Sequence, residues 1–188
     1  MAPRRNSMRL KGFNYSSART YFVTIVLEDR LKLFTEIVNG QTELNAAGRM
    51  VEAEWRCLKE RFKGLLRLHG HVVMADHFHG LIEICPLEEK DALPFNPNNP
   101  TEEAVETIIQ APDLGRIIGA FKSITTVRYI EGVKNHQWKP FKRRLWQHCY
   151  HDHIIRNRLH HLITERYIRK NLRARGGGHG GRPPRLRY

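Results

Sequence analysis

The run VVMADHFHGLIEI, residues 72–84, limits the possible folds more than any other stretch of the chain. It is aliphatic and β-branched on both sides of Ala75-Asp76, and each half is of strand length. It falls well short of the ~20 apolar residues that span a bilayer. The pattern predicts two strands, over 69–74 and 78–84, joined by a tight connection at Ala75-Asp76. A buried hairpin of this kind must be one part of a larger sheet. Its second half also carries His77 and His79 on either side of Phe78. Side chains alternate along a strand, so residues i and i+2 share a face. Two neighbouring imidazoles on a rigid strand suit one divalent metal. They make half a site, and a third ligand must come from elsewhere. The plainer reading is a pair of surface or satisfied core histidines.

The remaining segments say what the hairpin pairs with. TYFVTIVL (20–27) reads as a buried strand. Asn39-Gly40 lies between two short apolar runs within 33–45 and predicts a hairpin, because both residues tolerate positive φ. Asn45 or a neighbour caps a helix to about residue 64, with Met50, Val51, Trp55, Leu58 and Phe62 on its apolar stripe. Residues 86–112 read as a loop with a short helix near 102–110. Asp113 caps a helix over 114–129, in which Leu114, Ile117, Ile118, Phe121 and Ile124 face inward. Residues 131–144 read as a basic loop, 145–155 (LWQHCYHDHII) as a strand, and 158–171 as a final helix capped by Asn157. This order predicts an α+β protein: a ferredoxin-like antiparallel sheet with helices mainly on one face. The division expected is a basic N-terminal arm (1–19), one domain (20–174) and a disordered basic tail (175–188).

Charge narrows the partners. Lys+Arg number 32 and Asp+Glu 19, a net charge of +13 with a pI of about 10.1. Such an excess points to a polyanion, and the arginine-rich stretches suit phosphate. Three cysteines, Cys57, Cys85 and Cys149, have no CxxC spacing and make neither a zinc ribbon nor a disulfide framework. The first residues lack the apolar core of a secretory signal, and no run is long enough for a membrane helix. The expectation is an intracellular protein with no membrane partner.

Tyr167 and Asn171 are four apart in a helical pattern and so share a helix face. A phenol can serve as a covalent nucleophile, and an amide oxygen is a hard ligand suited to Mg²⁺ or Mn²⁺. The alternative is a core tyrosine and a capping asparagine. Tyr129 and Tyr150 are rival nucleophiles, and His151-x-His153 is a rival histidine pair. Residue chemistry alone does not separate them.

The ordered motifs do. From about Arg9 to Arg173 the chain resembles the REP-associated tyrosine transposase branch of the single-tyrosine HUH transposases. The resemblance is carried by VVMADHFHGLIEI, LGRIIGAFKSITT, LWQHCYHDHIIRN and RYIRKN. It implies the HUH nuclease fold, with Tyr167 as nucleophile and His77, His79 and Asn171 as ligands of Mg²⁺ or Mn²⁺, and no nucleoside cofactor. The activity implied is cleavage and rejoining of single-stranded or hairpin DNA through a 5′-phosphotyrosine. The expected DNA contacts are Lys122, Lys139, Lys142, Arg143, Arg144, Gln147, His153 and Arg156, with bases stacking on exposed aromatics such as Trp138. The setting expected is the prokaryotic cytoplasm, at the nucleoid, as a monomer or homodimer. Leu172 departs from the branch, which usually has proline there. The competing readings are a non-catalytic nucleic-acid-binding domain on the same scaffold and a decayed, inactive transposase.

Overall fold

Asn39 and Gly40 both take left-handed backbone, with φ of 51° and 77°. They close a two-residue turn between β2 (Thr35–Val38) and β3 (Gln41–Leu44). The right-handed twist of the two strands favours this turn. The computed structural model describes residues 18–85 and 112–173. The arm, the tail and the short helix expected near 102–110 lie almost wholly outside them.

The main sheet contains β1 (Thr20–Val26), β4 (Leu66–Val73), β5 (His77–Ile84) and β6 (His151–Ile155). Its order is β4-β5-β1-β6, and every neighbouring pair is antiparallel. The helix α1 (Ala46–Arg61) lies between the small hairpin and β4 in the chain, and α2 (Leu114–His136) lies between β5 and β6. This is the split β-α-β-β-α-β arrangement expected from the order of elements. The last helix is α3 (Arg158–Arg173).

Asn45 caps α1 by accepting a hydrogen bond from Gly48 N, and Asp113 caps α2 by accepting one from Arg116 N, both at 2.9 Å. The two helices cover one face of the sheet. There Tyr21, Val23, Ile25, Phe78, Ile82 and Ile84 pack with Trp55, Leu58, Phe121 and Trp146 in the larger apolar cluster. On the opposite face α3 lies over β4 and β5. Its apolar cluster is much smaller: Phe22, Val72, Met74, Leu81, Ile155 and Ile168, with Tyr167 against its edge.

Two elements differ from the sequence expectation. The second helix continues to His136 and ends at Gln137, which is left-handed at φ 55°. Gly132 within the extra turns makes room for the Trp138 ring, which folds back onto the space a side chain would fill there. Conversely, 145–150 is not strand. Leu145 and Trp146 are buried, and Trp146 Nε1 donates to Thr125 Oγ1 of α2 at 2.9 Å. A single bridge to Leu27 is the only strand-like pairing described there, and regular pairing starts at His151.

Candidate active site beneath the last helix

His77 and His79 project from β5 toward the face covered by α3, and both are buried. Their Nε2 atoms lie 3.1 Å apart. Each Nδ1 is held from behind. Asp76 Oδ1 is 2.6 Å from His77 Nδ1, and Thr24 Oγ1 of β1 is 2.8 Å from His79 Nδ1. An ionised carboxylate only accepts, so His77 Nδ1 is the donor to Asp76, and Nε2 is the ring nitrogen that faces His79. This pairing of carboxylate and imidazole is common behind metal-bound histidines. Two ligands at right angles on an ion ~2.1–2.2 Å away would lie ~3 Å apart, so the pair fits a single divalent ion.

The electrostatics agree with that fit. Burial lowers the His79 pKa to about 3, and His77 beside it pushes in the same direction. His79 is therefore neutral at neutral pH, as a ligand must be. The hydrogen bond from His77 holds the Asp76 carboxyl below its ordinary range, and Arg30 adds to this from 3.3 Å. Asp76 and Thr24 are the residues that sequence reasoning missed. The carboxylate directly before the first histidine was a visible signal. Thr24 had none, because it meets His79 only through the β1–β5 register.

The final helix brings the phenol. Asn157 Oδ1 accepts from His160 N at 2.8 Å and fixes where α3 begins. Ile168 lies 3.5 Å from where a Cβ on Gly70 would be, so the helix sits close to β4. The Tyr167 ring centroid is 5.5 Å from that of His79 and 6.0 Å from that of Phe22. Phe22 in turn stacks on His79 at 5.2 Å. Burial raises the Tyr167 pKa, and a hydrogen bond with the Asn171 side chain opposes the rise. Asn171 Nδ2 also donates to the Tyr167 carbonyl at 3.1 Å. One helical turn thus carries the phenol and the amide together.

The rival tyrosines sit elsewhere. Tyr129 is in the core, its Oη donates to Lys139 O at 2.8 Å, and burial raises its pKa to about 12. Tyr150 packs against the larger cluster, on the other side of the sheet from the histidine pair. His153 is exposed on β6, with its ring 4.8 Å from that of His160. Lys139, Lys142, Arg143, Arg144 and Arg156 are also exposed.

Three residues expected to contact DNA also have partners within the fold. Lys122 Nζ donates to the carbonyls of Gln147 and His148 at 2.6 and 2.9 Å, tying the 145–150 segment to α2. Gln147 Nε2 reaches the Leu27 carbonyl at 3.4 Å. Trp138 is half-buried against Tyr129, not presented to solvent as a stacking platform. Among the described residues, no helix is long and apolar enough to cross a membrane.

The geometry defines a class: a split βαβ sheet whose second face carries paired imidazoles beneath a helix-borne tyrosine. The chain belongs to one family with a protein of Haemophilus influenzae (strain ATCC 51907 / DSM 11121 / KW20 / Rd). The two are 32% identical over 174 residues, which is 89% of this chain and 87% of the relative. That relative is described only as an uncharacterized protein. No family model matches the chain. Solved structures similar to it include a REP-associated tyrosine transposase bound to a REP hairpin. That likeness has a TM-score of 0.47 at 18% identity and covers 90% of this chain and 75% of that one. Another is a candidate transposase from Deinococcus radiodurans R1, with a TM-score of 0.41 at 15% identity, covering 86% and 97%.

Proposed function

We propose that this protein is a metal-dependent transposase that cleaves and rejoins single-stranded or hairpin DNA, with Tyr167 as its nucleophile. The observation that carries the reading is the convergence of His77 and His79 Nε2, 3.1 Å apart, beside the Tyr167 ring. His77, His79 and the Asn171 side-chain oxygen would hold Mg²⁺ or Mn²⁺. Such an ion would polarise the scissile phosphate and offset charge in the in-line transition state.

The chain's own groups account for the rest. The Tyr167 phenol gives its proton to solvent water, and its oxygen forms a bond to phosphorus. The bond from phosphorus to the 3′ oxygen breaks, and that oxygen leaves as a 3′-hydroxyl after taking up a proton. A 5′-phosphotyrosine remains on the chain, so the energy of the phosphodiester is conserved and no nucleotide cofactor is needed. Attack by a 3′-hydroxyl on the phosphotyrosine reverses the step and rejoins DNA. Asp76 and Thr24 hold the two imidazoles in the orientation that the ligand role requires.

DNA binding would rest on Lys139, Lys142, Arg143, Arg144, His153 and Arg156. Hairpin and single-stranded DNA are the substrates implied by the motif resemblance. Affinity should fall steeply with salt, by ~0.7 logarithmic units per contacted phosphate of a single strand for each tenfold rise in salt. The setting that fits is bacterial cytoplasm, on DNA, as a monomer or homodimer.

The direct test is incubation with single-stranded DNA from the flanks of the protein's own gene, plus Mn²⁺. A covalent protein–DNA band is expected, and it should vanish with EDTA or in His77→Ala. DNA binding with no covalent band at any metal concentration would leave a nucleic-acid-binding domain without the chemistry.

A further inference from the structure

A second cluster of metal-ligating side chains lies on the same face of the sheet. His69 of β4 and His161 and Glu165 of α3 each offer a ligand atom, and the three atoms lie within 4.8 Å of one another. His161 and Glu165 are i,i+4 on one helical face, with Nε2 and Oε1 3.6 Å apart. The His69 and His161 rings meet edge to face, with centroids 4.7 Å apart. Glu83 of β5 holds His69 Nε2 at 3.0 Å.

His69 reaches this face because of a defect in β4. The pairing runs from Leu68 opposite Ile82 to His71 opposite Gly80, so His69 and Gly70 both lie against Leu81. This extra residue is a β-bulge, and bulges re-aim side chains. Without it His69 and His71 would share a face. With it, His71 pairs with Glu52 of α1 on one side, while His69 faces α3 on the other.

We propose that His69, His161 and Glu165 form a second divalent-metal site, suited to Zn²⁺, that fastens α3 to the edge strand. The proposal is independent of the function proposed for Tyr167. Two imidazoles and one carboxylate are a donor set zinc favours, and Glu83 orients the His69 ring as an outer partner. Tetrahedral ligands ~2.1 Å from an ion are ~3.4 Å apart, so atoms within 4.8 Å of one another need close by at most ~1.4 Å. The cations facing it are Arg67, 3.8 Å from Glu83, and Arg169, 4.0 Å from Glu165. Both are largely exposed and free to swing away. Glu83 is four residues beyond His79 on β5, so the two sites are ~13 Å apart along the strand. Glu165 precedes Tyr167 by two residues. An ion here would brace the first half of the helix whose second half carries the phenol.

The test uses the full chain with His77→Ala/His79→Ala, which removes the first site. After metal stripping and dialysis against Zn²⁺, one equivalent should be retained, and the thermal midpoint should rise. Adding His161→Gln or Glu165→Gln should abolish both effects, with circular dichroism confirming the fold. Co²⁺ in place of Zn²⁺ should give a four-coordinate visible band without thiolate charge transfer. If the double-alanine background does not fold, the wild-type chain should bind two Zn²⁺ and His161→Gln one. Zinc retention unchanged by His69→Gln/His161→Gln would overturn the site, as would a folded background that retains none.

Discussion

The strand β5 presents two different surfaces. Toward α1 and α2 it offers Phe78, Gly80, Ile82 and Ile84; toward α3 it offers His77, His79, Leu81 and Glu83. The first surface joins a continuous aromatic and aliphatic cluster that includes Trp55, Phe121 and Trp146. Each such side chain, fully buried, stabilises the fold by ~1.5–3 kcal/mol. The second surface has a handful of apolar contacts interleaved with imidazoles, a hydroxyl and a phenol. The difference shows how a half-buried sheet divides its work: one face holds the protein folded, and the other is left free to carry groups whose burial costs free energy.

That division can be broken from either side. The largest effect is expected from Tyr167→Phe. Covalent adduct formation should fall by about a thousandfold or more, while DNA affinity stays within about twofold and the fold is unchanged. Adduct persisting in that variant would move the nucleophile elsewhere. Next, Trp55→Ala should lower unfolding free energy by ~3–5 kcal/mol in denaturant titrations, because a void opens beside Phe78 and Phe121. A loss comparable to an exposed-site substitution would contradict the assignment of that face to stability. Ile168→Ala tests the boundary between the two roles. It should cost ~2 kcal/mol, at the low end for a buried isoleucine. It should also slow cleavage with little change in DNA affinity, since Ile168 seats the helix that carries Tyr167.

The last effect is a pH dependence of stability. His79 has a folded pKa of about 3 against an ordinary value of 6.5. In that interval the unfolded chain binds the extra proton, so the stabilisation present above pH 6.5 is lost as pH falls toward 3. The depressed Asp76 carboxyl acts in the same direction at lower pH. His79→Gln should flatten the acid side of the stability curve, and a parallel curve would show that the imidazole does not contribute.

Local signals were legible in the sequence wherever the physics was local. Asn39-Gly40 needs positive φ, Asn45 and Asp113 cap helices, and the alternation across His77, Phe78 and His79 fixes which side chains share a face. The order of elements carried the split βαβ topology. What could not be read depended on packing and pairing between elements rather than on local preference. The second helix outran its expected end, and Trp138 packs on Gly132 within the extra turns. The segment before His151 is not strand because Trp146 and Lys122 bind it to α2 instead. Thr24 gained a role through strand register alone, and the bulge that turns His69 toward α3 leaves no trace in composition or period. The site was half visible: the imidazole pair and the helical Tyr167–Asn171 spacing stood out, while the groups that orient the imidazoles did not.

Gly80 sits directly after His79, and a side chain there would collide with the Trp55 ring. The glycine and the tryptophan therefore have to be inherited as a pair, and neither takes part in the proposed chemistry. A lineage that ceased to cut DNA would be free to lose its histidines and its tyrosine. It would keep Gly80 and Trp55 for as long as the chain still folded. Among descendants of this gene, that pair should mark common ancestry long after the chemistry has been lost.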